Sequence, residues 1–392
     1  MISFFWVLLL SIAYCYFAYP LLLWLMARLR PNPVAKGVYE PNISVVLSVW
    51  NEEDVIEEKL RNLLSLNYPK GKMGIFIGSD GSTDKTNEIV KKFTDRYIHL
   101  VENPQRQGKM ATINALVAAT RQVAPEEDHI IVFTDARQIF EPSAIRELLT
   151  SFSDERIGCV SGELIFREKE GEGGTAKGVG LYWNYEKFIR KHESCLHSML
   201  GATGAIYAIR RELFVPIPSR IVLDDMYVPL EIIRKGYRAI FDESAKAYDQ
   251  AADSPREEHR RKTRTLFGNY QIFALFPDLF NPLTSPVAIQ LFSHKLLRVL
   301  IPVFLILLFI LNLPLIGEPL YQIMFCLQIA FYGMAVIGAL SRYQKHGILS
   351  LISKVCYIPY VFCLLNFSAL IGTLRFFRSK QEVTWEKARN GT

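Results

Sequence analysis

The chain has 392 residues, of which 50% are hydrophobic and 21% are charged, and its formal net charge is +6. This length accommodates one large globular domain together with several membrane spans, and the composition is too apolar for a purely soluble protein. The modest charge does not indicate a nucleic-acid partner. Six cysteines without a CxxC pair do not indicate a disulfide framework.

The first element is an apolar segment that contains no charged residue from Ile2 to Met26. At about 1.5 Å rise per residue, a helix of this length crosses a hydrocarbon core of roughly 30 Å. The segment lacks the basic start and the small-residue cleavage site of a signal peptide. Residues 1–30 are therefore predicted to form a transmembrane anchor.

Between residues 40 and 265, short β-branched runs alternate with longer amphipathic stretches, which predicts a parallel sheet covered by helices. The predicted strands are Ile43–Val49, Gly74–Gly78, Ile98–Glu102 and His129–Phe133, and the predicted helices are Glu52–Leu66, Thr83–Arg96 and Lys109–Ala118. Ligands of such sheets bind beyond the carboxyl ends of the strands. Asn51, Glu52, Asp80 and Asp135 are therefore expected to meet in one crevice.

Carboxylates at three strand ends are suited to recognising a nucleoside and to holding a metal ion on a diphosphate. Lys109 opens a predicted helix, where its ammonium and the helix N-terminus both favour a phosphate group. Two alternatives stay open. Asp80 is equally suited to forming its own turn and capping the next helix. Lys109 is equally suited to being a solvated lysine, because no GxxxxGK[ST] motif surrounds Lys109.

Two adjacent acids, Asp224 and Asp225, precede the predicted helix Val228–Lys235. Sugar transfer with inversion needs a carboxylate that takes the proton from an attacking hydroxyl group. A neighbouring acid raises the pKa of such a base. The alternative is that one of the pair only caps the helix.

Three more apolar runs follow, at Val299–Ile316, Leu320–Leu340 and Val355–Leu374, and with the anchor they predict four spans. Residues 299–375 are assigned to transmembrane helices, 266–298 to amphipathic helices at the membrane surface, and 376–392 to a polar tail. Basic residues beside the first two spans favour a cytoplasmic position for the domain between them. Four spans place the C-terminus outside, whereas the basic residues after the last run favour the inside, so its side stays open.

The order of motifs resembles the membrane-embedded branch of family 2 glycosyltransferases, which includes cellulose, hyaluronan and poly-N-acetylglucosamine synthases. The segment from Ser44 to Glu53 is similar to the first strand and NE turn of this family, and the segment from Ser79 to Thr86 is similar to its DDGSTDxT motif. The resemblance implies an α/β GT-A (Rossmann-like) nucleotide-sugar domain inserted between transmembrane helices. It also implies polysaccharide biosynthesis at a bacterial inner or plasma membrane, with a UDP-linked donor.

The resemblance further implies roles for single residues. Asn51 and Glu52 would bind the donor, and Asp80 would contact its nucleoside. Lys109 would contact the diphosphate, and Asp135 a divalent cation, Mg²⁺ or Mn²⁺. The general base would be Asp225, beside Asp224. The loop around Gly204 would line the path of a glycan or lipid-linked acceptor.

The chain departs from the family pattern at two motifs. Arg137 replaces the second acid of the DxD motif and cannot ligate a cation, so it would act on the diphosphate and the metal dependence would be weakened. The QxxRW motif is reduced to the stretch of Arg261 and Arg264, which would bind acceptor, phosphate or anionic lipid. The eroded QxxRW motif keeps open the transfer of one sugar to a lipid-linked acceptor, and Arg137 keeps open an inactive assembly partner.

Overall fold

A computed structural model describes residues 1–93, 96–123, 128–167, 175–250, 255–341 and 348–378. The chain divides into two compact units. Among the described residues, the sheet unit comprises 30–93, 96–123, 128–167 and 190–250, and the helical unit comprises 1–29, 175–189, 255–341 and 348–378.

The helices and strands of both units are numbered along the chain. The strands are β1 Asn42–Val49, β2 Met73–Asp80, β3 Ile98–Asn103, β4 His129–Thr134, β5 Ile139–Phe140, β6 Ile157–Arg167, β7 Tyr207–Arg210 and β8 Arg238–Gln250. The α-helices are α1 Ile2–Ala13, α2 Tyr19–Leu29, α3 Ile56–Leu64, α4 Thr86–Lys91, α5 Lys109–Val123, α6 Ala144–Thr150, α7 Thr175–Leu196, α8 Asp224–Arg234, α9 Pro255–Leu275, α10 Ala288–Gln290, α11 Leu297–Asn312, α12 Pro319–Ser341 and α13 Ile348–Phe377.

Within the described residues, one sheet of eight strands has the order β3-β2-β1-β4-β7-β6-β8-β5. The four predicted strands are confirmed, and β3, β2, β1 and β4 are parallel, as expected. Strand β1 is buried almost throughout, because helices cover both faces of such a sheet. The register aligns Val49 with Ser79, and Leu47 with Thr134, so the turns after β1, β2 and β4 lie at the same edge.

The second half of the sheet differs from the prediction of a parallel sheet, which is wrong there. Strand β7 is antiparallel to both β4 and β6, and β5 is antiparallel to β8. Strand β8 escaped prediction because its second half, from Asp242 to Gln250, is largely polar and partly exposed. Strand β8 pairs in parallel with β6 and antiparallel with the two-residue edge strand β5.

The helical unit contains candidate membrane spans. Among the described residues, four helical stretches are long and apolar enough to cross a membrane: Ile2–Leu29, Ala288–Leu315, Pro319–Leu340 and Val355–Phe377. Each predicted span thus coincides with a helix that is long and apolar enough to cross a membrane. The second stretch begins at Ala288, within the range that the sequence assigned to the membrane surface, because π-helical residues Leu291–Leu296 join α10 to α11 without a break.

A buried group of polar side chains lies inside the helical unit. Glu186 of α7 accepts a hydrogen bond from His294 at 3.1 Å and pairs with Arg298, and the guanidinium of Arg298 lies 5.4 Å from the ring centre of Tyr185. Ionised groups among apolar helices are costly unless they are paired. The pairing of Glu186 meets this requirement.

Candidate active site

The turns after β1 and β2 interlock through the side chain of Asn51. Asn51 has a positive φ of 54°, a conformation that asparagine tolerates better than most residues. Its carboxamide oxygen accepts a hydrogen bond from the Thr83 backbone at 2.8 Å, while the Glu52 N–H donates to Thr86 Oγ1 at 2.8 Å. Asn51 and Glu52, predicted to bind the donor, thereby shape this edge of the sheet.

Asp80, at the end of β2, is completely buried, and both of its carboxylate oxygens accept backbone hydrogen bonds. Oδ1 accepts from the N–H of Gln107 at 2.7 Å, and Oδ2 from the N–H of Gly108 at 2.9 Å. These bonds hold the loop that leads into α5. Gly81 has a φ of +68°, and a Cβ there would lie 2.8 Å from the Arg106 nitrogen, so this close approach requires glycine.

Lys109, the first residue of α5, bridges two of the predicted acids. Its ammonium lies 3.2 Å from Oδ1 of Asp135 and 3.2 Å from Oδ2 of Asp224. Asp224 is buried, whereas Asp135 is partly exposed. The structure thus brings together the end of β4, the start of α5 and the start of α8, which are far apart in the sequence.

Asp224 and Asp225 form the first turn of α8, so the helix begins four residues before its predicted start. Burial, followed by repulsion from Asp224, raises the pKa of Asp225 from 3.8 to about 6, against the attraction of Lys109 and Arg190. A carboxylate with this pKa is ionised at neutral pH and is basic enough to accept a proton.

The predicted loop around Gly204 packs against this acid. The N–H of Ala202 donates to the backbone oxygen of Asp225 at 2.7 Å, and a Cβ added to Gly204 would lie 3.5 Å from Oδ2 of Asp225. A side chain at this position would thus be in van der Waals contact with Asp225, so the loop passes directly beside the carboxylate.

The three predicted arginines are divided between the two units. Arg137 is exposed, and no hydrogen bond or ion pair of its side chain occurs within the described residues. Arg261 and Arg264 lie on α9, which belongs to the helical unit.

Sequence reasoning did not single out two further cations of the sheet unit. Arg190 donates to Thr203 Oγ1 at 2.9 Å, and its charge acts on Asp225. Lys59 is completely buried behind the turn that carries Asp135. Neither residue belongs to a motif. The helical spacing of Lys59 with the apolar residues of α3 is, however, a pattern that indicates a buried position.

The described residues contain no group of three or more histidine, cysteine or acidic side chains placed to hold a metal ion. Asp135 offers one carboxylate. This is sufficient for an ion that takes its other ligands from a diphosphate and water, as Mg²⁺ commonly does.

The mixed sheet, with acids at its strand ends, a lysine between them and a paired acid nearby, has the arrangement of the GT-A fold. Residues 44–215 match the model of Glycosyl transferase family 2. This part of the chain is therefore similar to family 2 glycosyltransferases.

Two curated relatives and one solved structure illustrate the similarity. The chain is 25% identical over 254 residues to the probable glycosyltransferase YdaM of Bacillus subtilis, and 23% identical over 263 residues to a poly-beta-1,6-N-acetyl-D-glucosamine synthase of Staphylococcus aureus. These alignments cover 60% and 64% of this chain, but only 57% and 60% of the relatives.

The solved structure is a mannosyltransferase, PcManGT, from Pyrobaculum calidifontis in complex with GDP-Man and Mn²⁺. It superposes with a TM-score of 0.71 at 20% identity, over 96% of this chain and 100% of that one. This likeness supports the fold.

Proposed function

We propose that the protein transfers a sugar from a nucleotide-sugar donor to a hydroxyl group with inversion, using Asp225 as general base and Lys109 to neutralise the leaving diphosphate. The observation that carries this proposal is the acid pair at the start of α8, where Asp224 contacts Lys109 at 3.2 Å and desolvation raises the pKa of the adjacent Asp225 to about 6. Lys109, which pairs with the neighbouring Asp224, is within reach of both the acids and a bound diphosphate. Base and leaving-group stabiliser thus lie in one site.

The donor is held by the edge formed by Asn51, Glu52, Asp80 and Lys109. Because both oxygens of Asp80 already accept backbone hydrogen bonds, its role is to shape the nucleoside pocket through the loop before α5. The GDP-mannose complex of the mannosyltransferase supports a nucleotide-sugar donor and a divalent cation for this chain. Asp135 supplies the carboxylate for that cation, and exposed Arg137 adds positive charge at the diphosphate.

The acceptor is a glycan or a lipid-linked sugar at a membrane. The four apolar helices and the similarity to a polysaccharide synthase support a membrane protein whose catalytic domain lies in the cytoplasm. The loop at Gly204, which passes directly beside the carboxylate of Asp225, supports an acceptor path that leads to this acid. Arg264 is the residue that matches the QxxRW motif, whereas Arg261 stands in place of its glutamine and Thr265 in place of its tryptophan. This loss favours the transfer of a single sugar over the extension of a long chain.

The test is release of nucleoside diphosphate by the detergent-purified protein from a panel of UDP- and GDP-sugars, with and without Mn²⁺ or Mg²⁺. We expect release from one donor, and Asp225→Asn to lower kcat by about 10²–10⁴-fold while donor binding persists. The control is Glu155→Gln, which alters an exposed acid elsewhere in the sheet unit. Unchanged turnover in Asp225→Asn would refute the assignment of the base, and NMR of the product anomer tests inversion.

A further inference from the structure

Helix α3 buries a lysine on its apolar face. Lys59 shares this face with Ile56, Leu60 and Leu63, and all four side chains are 0% exposed. Within the described part of the chain, its ammonium pairs with no carboxylate and donates instead to Thr134 Oγ1 at 2.8 Å and to the backbone oxygen of Gln138 at 2.6 Å. The ring centre of Phe140 lies 4.3 Å away.

A lysine is an unfavourable choice for this position on grounds of stability alone. Burial lowers the pKa of Lys59 from 10.5 to about 7, against the attraction of Asp135 and Asp249. Transfer of an ammonium group into the protein interior costs several kcal/mol, and a leucine or methionine would avoid that cost. The benefit of a lysine at this position must therefore come from the segments that its hydrogen bonds fix in place.

These hydrogen bonds close the turn that carries Asp135. Thr134 and Gln138 lie on either side of the acid, so one ammonium joins the two ends of the turn. Gln138 is itself fixed, because its carboxamide donates to Oδ2 of Asp249 at 2.7 Å.

The same ammonium is linked to the loop beside the general base. The hydroxyl of Thr134, which accepts from Lys59, donates to the backbone oxygen of Ala205 at 2.9 Å. Ala205 ends the loop that begins at Gly201, and the Ala202 N–H in that loop bonds to the backbone of Asp225. A continuous chain of contacts thus runs from Lys59 to both sides of the reaction centre.

We infer that Lys59 is a positioning residue for sugar transfer. Its ammonium holds the Asp135 turn and, through Thr134, the loop of residues 201–205, so that the cation-binding acid and the base Asp225 keep the spacing that transfer needs. This inference rests on the proposed function. Small misplacements of reacting groups cost about 10²-fold in rate, which sets the size of the expected effect.

The experiment compares Lys59→Met, Thr134→Val and the conservative Thr134→Ser, with Arg61→Gln on the exposed side of α3 as control. In Lys59→Met we expect kcat for nucleoside diphosphate release to fall about 100-fold, with donor KM changed less than about threefold because Lys109 still binds the diphosphate. Thr134→Val is expected to lower kcat about tenfold, and Thr134→Ser to restore it. Normal kcat in folded Lys59→Met protein would overturn the inference.

A second measurement does not depend on turnover. Amide hydrogen exchange is expected to accelerate at least about tenfold in residues 134–138 and 201–205 of Lys59→Met, and to stay unchanged in β1. Unchanged exchange in both segments would overturn the positioning role even if no donor is turned over. Absence of transfer by the unaltered protein would count instead against the proposed function.

Discussion

Because Lys59 is a buried charge, we predict that Lys59→Met increases the stability of the protein while lowering its rate of sugar transfer. A pKa lowered from 10.5 to about 7 corresponds to about 5 kcal/mol by which folding disfavours the ammonium form. Lys59→Met removes this cost. It also leaves the buried oxygen of Gln138 without its donor, at a cost of about 1–3 kcal/mol. At pH 6 we therefore expect Lys59→Met to be more stable by about 2–4 kcal/mol.

The sign of the pH dependence follows from the direction of the pKa shift. Below pH 7 the folded protein carries the buried ammonium and the penalty is present in full. As the pH rises from about 7 towards 10.5, the folded state loses its proton before the unfolded state does, and the penalty is relieved by about 1.4 kcal/mol per pH unit. By pH 9 the advantage of Lys59→Met is expected to fall by about 3 kcal/mol, to nearly nothing.

The assay is the apparent melting temperature in detergent at pH 6, 7.5 and 9. An advantage of 2–4 kcal/mol corresponds to an increase on the order of 5–10 °C for a domain of roughly 200 residues. Lys70→Met, at an exposed lysine, is the control and should show no pH-dependent difference. If Lys59→Met melts lower than the unaltered protein at pH 6, or if the difference does not change with pH, the reasoning about the buried charge is refuted.

Three other predictions concern the reaction centre. Because the pKa of Asp225 is raised to about 6, kcat should fall about tenfold per pH unit below pH 6, where the base is protonated; a profile that stays flat from pH 6 to pH 5 would contradict its role. Lys109→Met should raise donor KM and weaken nucleoside diphosphate binding at least about tenfold in titration calorimetry, and unchanged binding would exclude contact with the diphosphate. Arg137→Asp should restore the second acid of the DxD motif and lower the half-maximal Mn²⁺ concentration about tenfold, whereas Arg137→Gln, which adds no ligand, should not.

The first half of the sheet could be predicted from the sequence because its strands are continuous apolar runs. Strand β1 was expected at Ile43–Val49 and lies at Asn42–Val49, and the acids after β2 and β4 follow from that pattern. The meeting of Lys109 with Asp135 and Asp224 follows from the parallel topology in part. The position of α8 beside this site was inferred from the family resemblance, because no local pattern relates Asp224 and Asp225 to strands about 90 residues earlier.

The remaining features depend on tertiary contacts that local patterns do not report. Helix α3 was expected at Glu52–Leu66 and lies at Ile56–Leu64, because the residues before Ile56 turn to bond with the loop after β2. Lys59 falls at the spacing of the buried face, but a lysine in a helix is read as solvent-facing unless its partners are known. Its partners, Thr134 and Gln138, lie about 75 residues away.

The charges around Asp135 explain how an arginine can stand in the DxD motif. Lys109 contacts Asp135 directly, Lys59 lies behind its turn, and Arg137 follows it by two residues. A second carboxylate here would strengthen cation binding, whereas an arginine offers its own charge to the leaving diphosphate without a metal ion. In the proposed function, we expect fixed protein cations to share the stabilisation of the diphosphate with a divalent cation bound at Asp135. Transfer should accordingly retain part of its rate when Mn²⁺ and Mg²⁺ are chelated, and lose that part in Arg137→Gln.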